Sequence, residues 1–307
     1  MKLELCLQLW RSLSLRFPRW RLHLTLILLL GLVTALDNWL PHALISHHNR
    51  GVNPNPEILA QSGLEPELVE IEGDSALVTL RGWWLRAEDL ESSEPSPTLI
   101  FLHSLGGTRE DLLEFALPFR EAGFDLMLLD LRSHGESDGE FFTYGARESE
   151  DISAAIDWLS EQGAAAHVGI IGVSAGGAVA IAAAAQDERI QAVVTLGTFA
   201  DLEATITQQT PHLPGFWRER AVTQAEAIAE FEIEAASPVY SAAQLEVPLL
   251  ILHGDRDQYI PPENARQLYD AAAGARQIGW ITDGTHANML QKEETQAQIL
   301  NWLESAF

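Results

Sequence analysis

Five strand-length apolar runs govern what this chain can fold into: TLIFLH (98–103), FDLMLLDL (124–131), HVGIIGV (167–173), QAVVTLG (191–197) and VPLLILHG (247–254). Stretches with helical patterning separate them, at about 109–122, 147–162 and 175–186, with further helices expected at 263–273 and 291–306. Strands that alternate with helices predict a mostly parallel central sheet with crossover helices on both faces, an α/β architecture. LVEIE and ALVTLRGWWL read as an antiparallel pair that opens the sheet, and QIGWIT as a strand that follows the fifth run.

The pattern breaks once, between 199 and 237, where TQQTPHLPGFWRERAVTQAEAIAEFEIEAA carries two prolines and no strand signal. An insertion of this length in a compact domain is usually functional, so a small helical lid is expected there, and a surface excursion is the bland alternative. The adjacent Phe216 and Trp217 are its candidate substrate contacts, suited to an apolar acyl or alcohol group.

A different grammar rules the first 50 residues. From Leu22 to Leu36 no charged residue occurs, and Arg11, Arg16, Arg19 and Arg21 all precede that run. The asymmetry predicts a signal-anchor helix at about 20–40, with a cytoplasmic basic segment before it and the remaining domain, 51–307, on the non-cytoplasmic side. Trp20 and Trp39 lie 19 positions apart, about 28 Å along a helix, and would mark the two faces of a hydrocarbon core of roughly 30 Å. A cleaved signal with Val33-Thr34-Ala35 at the cut, giving a secreted protein, and a helix lying in the interface are the alternatives. GVNPNPE (51–57) reads as the linker.

Charge follows the same division. The net charge of −25 splits into +4 over the first 50 residues and −29 over the rest. So acidic a domain repels phosphate backbones, and nucleic acid is excluded as a partner. Cys6 is the single cysteine, so an intrachain disulfide and Cys-x-x-Cys chemistry are excluded. The His47-His48 pair has no third ligand at metal spacing, and neither metal nor cofactor is expected.

Candidate chemistry begins at Gly172-Val173-Ser174-Ala175-Gly176, a G-x-S-x-G pattern between a strand and a helix. Such a turn exposes a serine hydroxyl, and small residues two before and two after keep the backbone from colliding. A serine hydroxyl needs a base that is itself held in place. Asp257 follows 83 residues later and His286 another 29, each just past an expected strand. Order and location together nominate Ser174, His286 and Asp257 as nucleophile, base and orienting acid. Asp255 is the rival acid and is better placed to stabilise its turn. His103 and His253 are expected to brace loops, and His134 to be structural or to line the pocket. The N–H groups of Ala175 and Leu105 are the candidate oxyanion donors.

With these blocks the chain resembles the α/β-hydrolase superfamily, and within it the membrane-anchored serine hydrolases of the Bem46 and ABHD type. FLHSLGGTREDL, DLRSHGESDG, GVSAGG, and HGDRDQYIPP with GTHANM carry the resemblance, which runs from about Leu68 to the C-terminus. It implies an oxyanion loop, a structural turn, a nucleophile elbow and the acid and base loops, in that order. It also implies a serine esterase working on a small-molecule or lipid acyl ester or thioester. An amidase, a peptidase, an acyltransferase on the same triad or a non-catalytic interaction module are the alternatives. Serine at the elbow argues against dehalogenase or epoxide-hydrolase chemistry. Two positions depart from the family: Ser104 and Ser133 stand where relatives carry glycine. If either requires positive φ, serine there costs about 1 kcal/mol.

Overall fold

A computed structural model describes residues 19–46, 59, 63–73, 78–87 and 95–307. The expectations on Cys6, Arg11, Arg16, the His47-His48 pair and the 51–57 linker lie outside the described residues, as do the side chains of Arg19, Trp20 and Arg21.

Among the described residues one sheet of eight strands forms the middle layer: β1 (Glu67–Glu72), β2 (Thr79–Leu85), β3 (Thr98–Leu102), β4 (Asp125–Asp130), β5 (Val168–Val173), β6 (Ile190–Leu196), β7 (Leu249–Gly254) and β8 (Arg276–Ile281). Their spatial order is β1-β2-β4-β3-β5-β6-β7-β8. β2 pairs antiparallel with β1 and β4, and every other pairing is parallel. The expected antiparallel opening and parallel remainder are both present.

The central runs β3–β7 are nearly continuous in apolar residues because both sheet faces are covered there, whereas the edge strands β1 and β8 keep exposed polar positions. Alternate residues divide between two cores. Ile100, Leu102, Met127, Ile170, Val193 and Ile251 join one with α3 (Glu148–Glu161), through Ile152 and Ile156, and with α4 (Ala175–Ala184). Leu99, Phe101, Leu128, Ile171, Val194 and Leu250 join the other with Phe115 and Phe119 of α2 (Leu113–Glu121) and with Ile299 and Leu303 of the C-terminal α9 (Glu293–Ala306). All ten residues of α4 are buried. Its alanines and glycines let the helix lie close against the sheet, and that sets the level of the residue just before it, Ser174.

Between β6 and β7 the chain forms α5 (Leu202–Gln209), α6 (Gly215–Ala229) and the short α7 (Pro238–Ala242), and α8 (Glu263–Ala271) follows β7. At the other end of the described chain stands α1 (Arg19–Ile45), longer than the expected 20–40 because it runs through Pro41. Residues 23–45 are long and apolar enough to cross a membrane, by length and composition, with a mean hydropathy of 1.6. Leu24 to Val33 are exposed, while the last turn docks: Ile45 is fully buried against Ala225 and Ala229 of α6. The Ile45 carbonyl also accepts the Phe142 N–H (2.8 Å).

Candidate active site

β5 delivers its last residue into a turn that only small neighbours permit. Ser174 sits at φ 52°, ψ −113°, a left-handed conformation that a side-chain-bearing residue adopts at a cost. The Ser174 N–H donates to the Leu196 carbonyl (2.8 Å), and its own carbonyl accepts from Gly177 N–H (3.0 Å) and the Thr198 hydroxyl (3.1 Å). A Cβ on Gly172 would overlap the Gly176 carbonyl, and one on Gly176 would overlap the carbonyl of Leu102 on the neighbouring strand. Both glycines of the pentapeptide are thus steric requirements of this turn.

The loops after β7 and β8 bring two partners to the serine. His286 Nε2 lies 3.1 Å from Ser174 Oγ, and its Nδ1 lies 2.8 Å from Asp257 Oδ2. Asp257 is 2% exposed, and its other oxygen accepts the N–H groups of Tyr259 and Ile260, both at 2.9 Å. That geometry leaves one carboxylate oxygen for the imidazole and fixes which ring nitrogen faces the serine. Asp255 is exposed, its backbone N–H held by the Ile281 carbonyl, so it shapes the turn without meeting the histidine. Such a series can pass the hydroxyl proton to the imidazole and stabilise the resulting cation.

The three other histidines weighed for the site are held in the surrounding frame. His103 donates from Nδ1 to the Ser104 carbonyl (2.8 Å) and accepts the Leu131 N–H at Nε2 (3.0 Å), so it is neutral, and burial pushes its pKa down to about 4. His253 donates from Nε2 to the Ile260 carbonyl (2.8 Å), which anchors the acid loop; burial lowers its pKa as well. His134 Nδ1 donates to the Arg132 carbonyl (2.9 Å), inside the turn that Arg109 and Asp130 hold together.

The two serines that depart from the family behave differently. In the loop after β3, Gly107 N–H bonds the Ser104 carbonyl (2.9 Å) and Gly106 takes φ 73°. The permissive position of that turn is therefore Gly106, and Ser104 is relaxed. Ser133, by contrast, sits at φ 62°. Of these two serines only Ser133, in the structural turn, is strained, and the loop holding Leu105 carries no positive φ at a serine.

Above Ser174 lies a cavity of about 340 Å³. Leu105 and Ala175 line it beside the serine, so the two expected oxyanion donors share its floor. As the first residue of α4, Ala175 has no intrahelical acceptor for its N–H. Leu202, Thr205 and Ile206 of α5, Arg218 and Ala221 of α6, and Tyr259 and Ile260 also line the cavity. Phe216 and Trp217 are not among the lining. They stack on each other with ring centroids 5.3 Å apart, and Phe216 is 63% exposed. Arg218 and Ala221 of α6 line the cavity, whereas Phe216 is exposed and Trp217 half-buried outside the lining, which corrects the expectation for these two residues.

Three contributions went unseen in the sequence. Tyr259, two residues past Asp257, packs its ring on His286 with centroids 4.9 Å apart. Tyr144, which also lines the cavity, donates its hydroxyl to the Leu44 carbonyl (2.7 Å), and burial pushes its phenol pKa up. Most unexpectedly, Trp39, Leu40, Ala43 and Leu44 of α1 form a wall of the cavity. The spacing of Leu40, Ala43 and Leu44 marks one helical face and was the available signal.

Comparison with known proteins places this geometry in a family. Residues 117–307 match the prolyl oligopeptidase family. An uncharacterized 31.7 kDa Escherichia coli protein from the traX-finO intergenic region is 28% identical over 248 residues, covering 66% of this chain and 87% of that protein. Protein bem46 of Schizosaccharomyces pombe is 27% identical over 191 residues, 61% of this chain and 60% of its own. Among solved structures, an esterase of Pyrococcus furiosus superposes with a TM-score of 0.65 at 23% identity, over 81% of this chain and 95% of the esterase. An acylaminoacyl peptidase of Pyrococcus horikoshii does so with a TM-score of 0.61 at 18% identity, over 81% of this chain and 43% of the peptidase, and both likenesses are of fold. The chain belongs to the prolyl oligopeptidase family and, in the α/β-hydrolase superfamily, is a serine hydrolase of the Bem46 type.

Proposed function

We propose that this protein is a membrane-anchored esterase that cleaves carboxylic esters or thioesters through an acyl-enzyme on Ser174. The observation that carries the reading is the unbroken hydrogen-bonded series from Ser174 Oγ to His286 to buried Asp257, with the serine raised on a left-handed turn. His286 takes the hydroxyl proton as Ser174 attacks the acyl carbon, and Asp257 holds the imidazole and stabilises its charge. The N–H groups of Ala175 and Leu105 receive the developing oxyanion. His286 then returns the proton to the leaving alcohol or thiol, and water, activated by the same imidazole, releases the acid.

The 199–237 insertion acts as the lid over the 51–307 domain, and α1 is the anchor, with the N-terminus cytoplasmic and the hydrolase domain on the non-cytoplasmic side. The apolar lining favours an acyl ester over a peptide. Fold likeness to an acylaminoacyl peptidase keeps amide hydrolysis as the second reading. Matched p-nitrophenyl ester and p-nitroanilide panels separate the two. Ser174-dependent turnover of the ester with no measurable turnover of the anilide of the same acid supports the esterase, and Ser174-dependent hydrolysis of the anilide would replace it with an amidase.

A further inference from the structure

The helix expected to act as a tether also builds the site. α1 and α6 run side by side in the same direction: Arg220 grips both carboxylate oxygens of Asp37, and eight residues on, Ile45 packs on Ala225 and Ala229. Continuing that register backwards, Phe216 lies one turn before Arg220, about 6 Å nearer the exposed apolar part of α1. Trp39 lines the cavity and is also 63% exposed, so it stands at the mouth. The mouth, marked by Trp39, and the exposed Phe216 thus lie at the boundary where the lipid-compatible run Leu24 to Val33 ends. Exposed aromatic side chains at that level are what a membrane–water interface selects, and interfacial helices sink about 5–10 Å into it.

We propose that the cavity opens at the bilayer surface and takes the acyl chain of a single-chain amphiphilic ester directly from the leaflet, with α1 forming a wall of the acyl site. This rests on Ser174 acting as the nucleophile. The volume of about 340 Å³ is near the lower end of the roughly 300–1,000 Å³ usual for ligand pockets, which fits a single acyl chain. Leu40, Ala43 and Leu44 of α1 line it together with Leu105, Ile206 and Ala221 of the domain, so anchor and domain both contribute to the surface that holds the chain.

The test uses the full chain in phosphatidylcholine vesicles with p-nitrophenyl acetate and vesicle-dissolved p-nitrophenyl dodecanoate, which differ only in the acyl group. Ala43→Phe on α1 and, from the neighbouring α6, Ala221→Phe are expected to lower the dodecanoate-to-acetate ratio of kcat/KM at least tenfold. A ratio within twofold of the parent for Ala43→Phe overturns the proposal. If both variants lose acetate hydrolysis through misfolding, an environment-sensitive fluorophore at Phe216→Cys, in a Cys6→Ser background, decides. Lipid-like emission supports the proposal and water-like emission overturns it. Should the parent cleave neither ester, or Ser174→Ala cleave both at the parental rate, the nucleophile reading fails instead, and the fluorophore still reports where the mouth lies.

Discussion

The floor and the roof of the cavity are built on opposite principles. Ser174 on the floor, and Asp257 and His103 behind it, are buried at strand ends, and each is held by two or more hydrogen bonds. The roof is α1 and α6, clasped by the exposed Asp37–Arg220 pair and a small apolar contact around Ile45. Preorganised charge and proton transfer need a rigid frame, since a misplacement of about 1 Å can cost 100-fold in rate. Selecting and admitting a chain requires a surface able to part. On the proposed function, reactivity and selectivity have separate structural owners.

Substitutions on the floor have the largest effect. Ser174→Ala and Asp257→Asn are each expected to reduce ester kcat by roughly 10⁴-fold or more, and the double variant scarcely further, because the residues act as a unit. Steady-state assays of purified variants, with circular dichroism to confirm folding, read this directly.

The next effect is on stability. His103 is fully buried and its folded pKa is lowered from 6.5 to about 4. A lowered folded pKa means that the unfolded chain binds the extra proton, so the contribution is complete above pH 6.5 and is lost as pH falls toward 4. The full loss is about 3 kcal/mol. Unfolding in detergent at pH 7.5 and 4.5 should therefore show a smaller acid loss for His103→Asn than for the parent; equal losses would remove His103 as the cause.

Backbone strain gives the smallest effect. Ser133→Gly relieves a left-handed serine and should stabilise the chain by about 0.5–1 kcal/mol, whereas Ser104→Gly, at a relaxed position, should not. Denaturant midpoints of the two variants separate them, and a gain at 104 would reverse the assignment.

What could be read from the chain follows the same division. Floor elements were legible because they repeat local rules: continuous apolar strands, a glycine-fenced serine, an acid and a histidine past later strands. Even the loop-bracing roles of His103 and His253 follow from their strand-end positions. The roof was not legible in that way. Whether α6 turns Phe216 or Ala221 inward depends on helical phase relative to a distant domain, and α1 reads first as a membrane helix, which hides its last turn as a wall. Nor could sequence tell which of Ser104 and Ser133 bears positive φ, since that depends on where each turn places Gly106 and Gly135.

One measurement bears most directly on Ser174 as the activated nucleophile. The full chain in detergent is treated with a fluorophosphonate and its peptides are mapped by mass spectrometry. The account predicts stoichiometric phosphonylation of Ser174, slowed strongly in His286→Ala and absent in Ser174→Ala. Equal labelling of the parent and Ser174→Ala, or modification at a different serine, would contradict it.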